Sequence, residues 1–194
     1  MTQSPRIVAL AGSLRAASYN KQLVRIAADG ARAAGADVTF LDLAEYPLPV
    51  FDEDLEAAEG MPENAARLKA HFVASDGILI ASPEYNGSLS GALKNAIDWV
   101  SRKTGDEPPL AAFSGKAVAL MAASPGALGG LRGLVHVRAI LGGLGMLVLP
   151  EQIAVPKAFE AFDEAGALRD PKLRAQVEGL GRSLAALLAK LGAE

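Results

Sequence analysis

Residues 6–20 read RIVALAGSLRAASYN, an apolar run that passes through a glycine into a short polar loop. The run Arg6–Ala11 has no polar alternation, which predicts a strand buried on both faces. Lys21–Ala34 is predicted to be a helix, because small and apolar residues recur at helical spacing: Leu23, Ala27, Ala31 and Ala34. A buried strand, a tight loop and a helix in succession indicate the first half of a parallel α/β unit.

The same alternation of strand and helix continues along the chain. Four further strands are predicted at Asp37–Leu43, Gly77–Ser82, Lys116–Ala123 and Met146–Leu149. Four further helices are predicted at Pro62–Ser75, Ser88–Arg102, Leu131–Leu141 and Arg169–Leu191. The fold class is therefore α/β, a flavodoxin-like three-layer sandwich with a five-stranded parallel sheet in the order 2-1-3-4-5. Residues 1–194 are expected to form one domain, with the ligand crevice at the carboxyl ends of strands 1 and 3.

Two longer connections interrupt this order. Glu45–Gly60 holds six acidic residues around the apolar stretch Leu48–Phe51. Paired carboxylates would suit a glycosidase or a metal site, but a solvated surface loop whose apolar middle packs down is the simpler prediction. Lys103–Gly115 contains Gly105, Pro108 and Pro109, and is expected to be a loop of no obvious chemistry. The regularly spaced leucines of the last helix favour packing on the sheet over a coiled coil.

Composition excludes several classes of function. The chain has 194 residues and no cysteine, so disulfides, thiolate nucleophiles and cysteine-based metal centres are ruled out. Its two histidines, His71 and His136, lack a ligand-like spacing, and no metal site is expected. A net charge of −3 without a basic stripe argues against nucleic acid. No apolar run approaches the roughly 20 residues that span a bilayer, and Met1–Arg6 is not a secretory leader, so a cytoplasmic protein is expected.

The loop Gly12–Asn20 has the composition of a phosphate-binding loop. It lies directly before a helix, where backbone N–H groups and the helix dipole attract an anion. Its polar side chains are Ser13, Arg15, Ser18 and Asn20. The loop matches neither the triphosphatase pattern nor G-x-G-x-x-G, and Asp42 is the nearest candidate for a ribose contact. Simple capping of the helix is the alternative.

A second candidate loop, Ser82–Ser88, follows the third predicted strand. That strand lies beside the first in the expected sheet, so the two loops face each other. Tyr85 offers a flat apolar surface with a polar tip, and the pair Asn86-Gly87 can present N–H groups in a turn. The alternative is an ordinary strand-to-helix turn with Ser88 as the N-cap.

A third loop, Ser124–Gly130, opens a glycine-rich stretch, since residues 126–145 hold seven of the 20 glycines. Glycine costs roughly 1 kcal/mol relative to alanine inside a helix, so this density needs a physical reason. Close approach to a flat ligand is one reason, and close packing of helix on sheet is the other. Arg132 and Arg138 follow, and are candidates for contact with an anionic substrate or a partner subunit.

Taken together, the three loops resemble the NADPH-dependent FMN reductase family, which includes quinone, azo-dye and chromate reductases. The resemblance rests on GSLRAASYN at 12–20, PEYNGS at 83–88 with LKNAIDW at 93–99, and SPGALGGLR at 124–132. It extends to about residue 150 and includes the stretch PLPVFDED at 47–54. It implies a flavodoxin-like fold and bound FMN, with NADPH or NADH as co-substrate.

The resemblance also implies a role for each loop. The residues that would hold the FMN phosphate are Ser13, Arg15, Ser18 and Asn20. Those that would flank the ribityl chain and the isoalloxazine ring, mostly through backbone atoms, are Pro83, Glu84, Tyr85, Asn86 and Gly87. The third loop would border the ring with Ser124 and Gly126. FMN would carry the chemistry, so no catalytic side chain is expected, and the sequence offers no Ser/His/Asp or Cys/His set.

The helix segment Leu89–Val100 resembles the family's subunit interface. Its apolar stripe consists of Leu89, Leu93, Ile97 and Val100, with Asp98 and Trp99 beside it. A homodimer or homotetramer is expected through this helix. The chain departs from the family pattern at Ser90, where relatives often carry proline, and at Gly133–Val135, which replaces a more polar stretch. These departures bear on substrate preference more than on flavin binding.

The implied activity is electron transfer from NADPH or NADH, through FMN, to quinones, azo compounds, metal oxyanions or free flavin. Because the nicotinamide leaves before the acceptor binds, ping-pong kinetics are expected. One alternative is a flavodoxin-type electron carrier without NAD(P)H oxidase activity of its own, against which the modest net charge and Arg15 argue. The other alternative is a flavin-free α/β binding module.

Overall fold

A computed structural model describes residues 4–192 of the chain. Its centre is a parallel sheet of five strands, namely β1 (Arg6–Ala11), β2 (Asp37–Asp42), β3 (Gly77–Ala81), β6 (Ala117–Ala123) and β7 (Leu147–Val155). A separate two-stranded hairpin consists of β4 (Glu84–Tyr85) and β5 (Ser88–Leu89). The large sheet has the order β2-β1-β3-β6-β7, which is the predicted order 2-1-3-4-5 once the hairpin is set aside. The predicted fold class is confirmed.

Helices cover both faces of the sheet. One face carries α1 (Tyr19–Ala33) and α7 (Pro171–Leu191), and the other carries α3 (Glu63–Ala74), α4 (Gly91–Val100) and α5 (Leu131–Gly143). Successive residues of a strand enter opposite core layers, so Ala9 packs with α1 while Leu10 packs with α4. The last helix joins the core, as predicted. Within residues 4–192, no helix is both long and apolar enough to cross a bilayer.

Two glycines hold α1 and α7 close together. A Cβ added to Gly30 would overlap the backbone of Glu178, and one added to Gly181 would overlap the backbone of Ala27. Any larger residue at either position would push the helices apart. This close contact fixes α1, and with it the N-terminus that α1 presents at the carboxyl edge of the sheet.

The connection Glu45–Gly60 is more ordered than the predicted surface loop. It contains α2 (Glu53–Glu59), which begins at the N-cap Asp52. None of the seven residues of α2 is buried, so no apolar periodicity marks this helix in the sequence. The apolar middle of the connection packs down only in part: Phe51 meets Trp99 edge to face at a centroid distance of 5.0 Å, whereas Val50 is 83 % exposed.

The predicted helix Ser88–Arg102 is divided in the structure. Its first two residues form β5, which pairs antiparallel with β4, and α4 begins only after this hairpin. The turn between the strands places Asn86 and Gly87 at positive φ (53° and 79°), as two-residue hairpins require. Ser90 is the N-cap of α4, so the alternative in which Ser88 caps this helix does not hold.

β7 is longer than the predicted strand Met146–Leu149. It continues to Val155, and its register against β6 shifts between Val118 and Leu120. Pro150 interrupts the apolar run and lacks an N–H, so the second half of the strand does not stand out in the sequence. Two short elements complete the structure, a 3-10 turn at Leu43–Glu45 and α6 at Ala158–Ala161.

The apolar stripe of α4 is buried inside the chain. Leu93, Ile97 and Val100 belong to the core between α4 and the sheet, and Trp99 is 0 % exposed. The indole N–H of Trp99 donates to the carbonyl of Pro49 at 2.8 Å. Leu93, Ile97, Val100 and Trp99 therefore cannot contact a partner subunit as predicted, whereas Leu89 and Asp98 are only partly buried, and assembly through this segment stays a prediction. The less buried side of α4 is mostly polar, with Lys94, Asn95 and Asp98.

Candidate functional site

Three loops meet in one depression at the carboxyl edge of the sheet. The depression is lined by Ser13, Arg15, Ser18, Tyr19, Asn20, Pro83, Glu84, Tyr85, Ala123, Ser124 and Pro125. It therefore joins most of the predicted site residues. Asn86 and Gly87 lie instead at the hairpin turn, and Gly126 follows the lining residues of the third loop. A larger cavity of about 650 Å³ lies at the opposite edge of the sheet, around Arg6, Asp76 and Lys116.

The N-terminus of α1 opens into this depression without a cap. Ser18 is the N-cap residue in extended backbone (φ −92°, ψ 124°), yet its side chain makes no capping hydrogen bond within residues 4–192. The first turn, Tyr19–Gln22, carries no acidic side chain. Beside it, the guanidinium of Arg15 donates to the carbonyl of Ala17 at 2.6 Å and retains further N–H donors. These donors and the positive end of the helix dipole suit a phosphate.

Asn20 lines the depression but uses its side-chain amide to bind protein backbone. Its amide nitrogen donates to the carbonyl of Ala123 at 2.8 Å, and its amide oxygen accepts from the N–H of Ala123 at 2.9 Å. Both residues are buried. Asn20 thus ties the first loop to the end of β6, and its predicted contact with the phosphate stays a prediction.

Asp42, the nearest candidate for a ribose contact, forms an ion pair with Lys21. Its carboxylate accepts from the buried ammonium of Lys21 at 2.7 Å and from the N–H of Ala44 at 3.0 Å. Burial works to raise the pKa of Asp42, but the hydrogen bonds from Lys21 and Ala44 outweigh it and hold the pKa below its usual value. The ion pair connects Lys21, the third residue of α1, to the end of β2.

Glu84 fixes the second loop to α5. Its carboxylate accepts from Arg132 at 2.6 Å and from the N–H of Gly133 at 3.2 Å, and its side chain is only 8 % exposed. Burial works to raise the pKa of Glu84, but the bonds from Arg132 and Gly133 outweigh it, so the pKa lies below its usual value. The N-terminus of α5 therefore already has a negative partner, whereas that of α1 does not.

Three glycines in and just after the third loop serve close packing. A Cβ on Gly130 would lie 2.7 Å from the Cβ of Ala122, and one on Gly129 would lie 2.7 Å from the backbone of Val155. A Cβ on Gly133 would lie 3.2 Å from the carbonyl oxygen of Ser88 in the hairpin. Close packing of α5 against the strands and the hairpin therefore explains Gly129, Gly130 and Gly133, but not Gly142 and Gly143, where an added Cβ would meet nothing within 4 Å.

The two arginines after the third loop have partners inside the chain. Arg132 pairs with Glu84, as described above. Arg138 donates to the carbonyl of Leu149 at 2.8 Å and to the side-chain oxygen of Gln152 at 3.1 Å. Arg138 thus joins α5 to β7, which differs from the predicted contact with a substrate or a partner subunit.

Tyr19 and Pro125 also line the depression, although neither was a candidate. The ring of Tyr19 stacks on that of Phe162 at a centroid distance of 5.5 Å, so the segment after β7 supports this wall. Tyr19 lies inside the loop Gly12–Asn20, and its position at the predicted start of a helix could have marked it as a residue that lines the site. Phe162 is 143 positions away in sequence, and no local pattern connects it to the site.

A parallel sheet in this order, with a helix N-terminus suited to an anion after its first strand, defines the class of flavodoxin-like proteins. Within that class the family is specific. Residues 5–160 match the family described as NADPH-dependent FMN reductase, and the chain belongs to this family. The resemblance seen in the three loops is confirmed, and with it FMN and NAD(P)H as the cofactors of the family.

Individual relatives agree with this assignment. The NAD(P)H-dependent FMN reductase PA1204 of Pseudomonas aeruginosa is 36% identical over 92% of either chain. A quinone reductase of Escherichia coli is 38% identical over 77% of this chain and 76% of its own. Among solved structures, the flavoenzyme NAD(P)H:(acceptor) oxidoreductase FerB of Paracoccus denitrificans superimposes with a TM-score of 0.79 at 29% identity, covering 96% of this chain and 98% of its own.

Proposed function

We propose that this chain is an FMN-dependent NAD(P)H oxidoreductase that passes electrons by a ping-pong route to small acceptors. The observation that carries the proposal is the uncapped N-terminus of α1, which lies beside Arg15 in the depression formed by the three loops. This set of donors suits the terminal phosphate of FMN. The FMN reductase and quinone reductase relatives support the same chemistry.

All three loops would take part in holding FMN. The phosphate would be held by Ser13, Arg15 and Ser18. The ribityl chain and the ring would be flanked by Pro83, Glu84, Tyr85, Asn86, Gly87, Ser124 and Gly126. Asn20 would keep the first loop in place through its bonds to Ala123. FMN held by these residues would supply the redox chemistry that links NAD(P)H to the acceptor, with each binding in turn.

The chain's own residues bind and orient rather than react. Tyr85 is 52 % exposed, which leaves an open side where a nicotinamide or acceptor ring can stack. The hairpin that carries Tyr85 is held to α5 by Glu84. A site of this kind needs no side-chain nucleophile or general base, because the electrons pass through the cofactor.

Among acceptors, quinones have support from the names of several relatives. Azo compounds, metal oxyanions and free flavin are further candidates. A single domain over residues 1–194, a cytoplasmic location and a homodimer or homotetramer stay predictions. Assembly through α4 would have to use its polar outer side, since its apolar stripe is buried.

Anaerobic half-reactions test the proposal. NADPH added to the flavin-loaded protein without an acceptor should bleach the flavin absorbance, and a quinone added afterwards should restore it. Initial rates with both substrates varied should give parallel double-reciprocal lines. A protein that takes up FMN but does not oxidise NADPH would be an electron carrier, and one that refuses FMN would be a flavin-free module. Either result would contradict the proposal.

A further inference from the structure

Ser90 is a buried residue outside the first loop whose hydroxyl bonds to the start of that loop. The residue lies between β5 and α4 and is 2 % exposed. Its hydroxyl oxygen accepts a hydrogen bond from the N–H of Leu93 at 3.1 Å, which caps α4. The same hydroxyl donates to the carbonyl of Gly12, the residue at which β1 passes into the phosphate loop. Capping alone explains the first bond but not the second.

Gly12 is enclosed by structure on its other sides. Its N–H donates to the carbonyl of Ala81 at 2.9 Å and so continues the pairing of β1 with β3. A Cβ on Gly12 would lie 2.8 Å from the Cβ of Leu93 and 3.2 Å from the ring of Pro83. With the N–H and the Cα of Gly12 fixed in this way, the bond from Ser90 orients its carbonyl.

The orientation of this carbonyl also sets the direction of the next N–H. The carbonyl of Gly12 and the N–H of Ser13 belong to one planar trans peptide and point in opposite directions. A carbonyl held toward Ser90 therefore turns the N–H of Ser13 away from α4. Ser13 itself lines the depression, so this peptide is the first one of the loop that an anion there would meet.

We infer that Ser90 is a positioning residue for phosphate recognition, acting through the Gly12–Ser13 peptide. The inference rests on the proposed function, since the phosphate is that of FMN. It predicts that Ser90 matters for FMN, which carries a phosphate, and not for riboflavin, which has the same ring and ribityl chain without one. A residue that merely stabilised the fold would affect both flavins alike.

The decisive variant is Ser90→Gly. Glycine is nearly as good an N-cap as serine, so α4 keeps its start while the donor to Gly12 is lost. Ser75→Ala is the matched control, because Ser75 is also a buried serine whose hydroxyl bonds to a backbone carbonyl, that of Phe72, far from the depression. Thermal unfolding of both apoproteins shows how much stability each change costs.

Flavin affinity is measured by quenching of flavin fluorescence, with FMN and riboflavin on each protein. Ser90→Gly should weaken FMN binding about five- to twentyfold, the effect of one misplaced hydrogen-bond donor, and change riboflavin binding less than twofold. The ³¹P resonance of bound FMN should shift in this variant and not in Ser75→Ala. Unchanged FMN affinity, an equal loss for both flavins, or an unmoved ³¹P resonance would overturn the inference. Failure of the wild-type protein to bind FMN would instead contradict the proposed function.

Discussion

The polar side chains around the start of α1 differ in what their atoms contact. Asn20 bonds to the backbone of Ala123, and Lys21 pairs with Asp42, so both connect α1 to neighbouring strands. Ser13, Ser18 and Arg15 line the depression and keep donors that an anion can use. This division separates residues that place the loop from residues that would bind the phosphate, and each group has its own measurable consequence.

Arg15→Ala tests the residues that would bind the phosphate. The change should weaken FMN binding by roughly 1.5–3 kcal/mol, the usual contribution of a hydrogen bond to a charged group. Arg25→Ala is the matched control, because Arg25 lies on α1 with its guanidinium over the ring of Phe40 and outside the depression. Equilibrium dialysis with FMN measures both. If Arg15→Ala retains flavin as well as Arg25→Ala does, Arg15 does not belong to the phosphate site.

Asn20→Ala tests the residues that hold the first loop in place. Loss of the amide leaves the buried N–H and carbonyl of Ala123 without their partner, which should lower the free energy of unfolding of the apoprotein by about 1–3 kcal/mol. Urea unfolding in the absence of flavin measures this. Asn64→Ala serves as control, since the Asn64 amide bonds to Pro47 near the surface. An apoprotein of wild-type stability would mean that Asn20 acts only on the ligand.

At the scale of elements, the hairpin β4–β5 is held to α5 from two positions. Glu84 bonds to Arg132 and to the N–H of Gly133, and the hydroxyl of Ser88 lies 2.8 Å from Nδ1 of His136. The hairpin carries Tyr85 over the depression, so these contacts set where one wall of the site lies. The carboxylate also compensates the positive N-terminus of α5.

Glu84→Gln should loosen this attachment in a pH-dependent way. Because the pKa of Glu84 is held below its usual value of 4.5, its stabilisation is fully present above pH 4.5 and is lost as the pH falls through the lower folded-state pKa. The variant should be less stable than wild type by about 1–2 kcal/mol at pH 7, with the difference shrinking below pH 4.5. Thermal unfolding at several pH values measures it, with the exposed Glu151→Gln as control. A difference that does not depend on pH would contradict the role of the charge.

The elements differ in how far the sequence predicts them. Strands such as Gly77–Ala81 are continuous apolar runs, and their order follows from the alternation with helices. The hairpin was missed because each of its strands has two residues and neither is apolar throughout. The bond between Asn20 and Ala123 joins residues 103 positions apart, and no local pattern reports such a contact. The loops that form the site were therefore predictable, but the partners of their side chains were not.

At the scale of the whole molecule, α4 is a core element. Its apolar stripe packs on the sheet, and Trp99 packs on Phe51 and donates to the carbonyl of Pro49. Spacing of apolar residues shows that a helix has a face to bury, but not whether the chain itself or a second subunit covers it. Here the chain's own sheet and the connection before α3 cover that face.

Trp99→Glu should therefore unfold the chain rather than separate subunits. A carboxylate in place of a fully buried indole should lower the free energy of unfolding by at least about 3 kcal/mol, independent of protein concentration. Denaturant unfolding at two widely separated protein concentrations measures this, with Lys94→Ala on the exposed side of α4 as control. A folded variant that differs from wild type only in its mass by light scattering would restore the interface assignment.

FMN binding at the depression at the start of α1 can be measured by isothermal titration calorimetry, with FMN titrated into the apoprotein. We expect saturable binding of one FMN per chain, and much weaker binding by Arg15→Ala at the same protein concentration. Absence of saturable FMN binding to the folded wild-type protein would contradict this expectation.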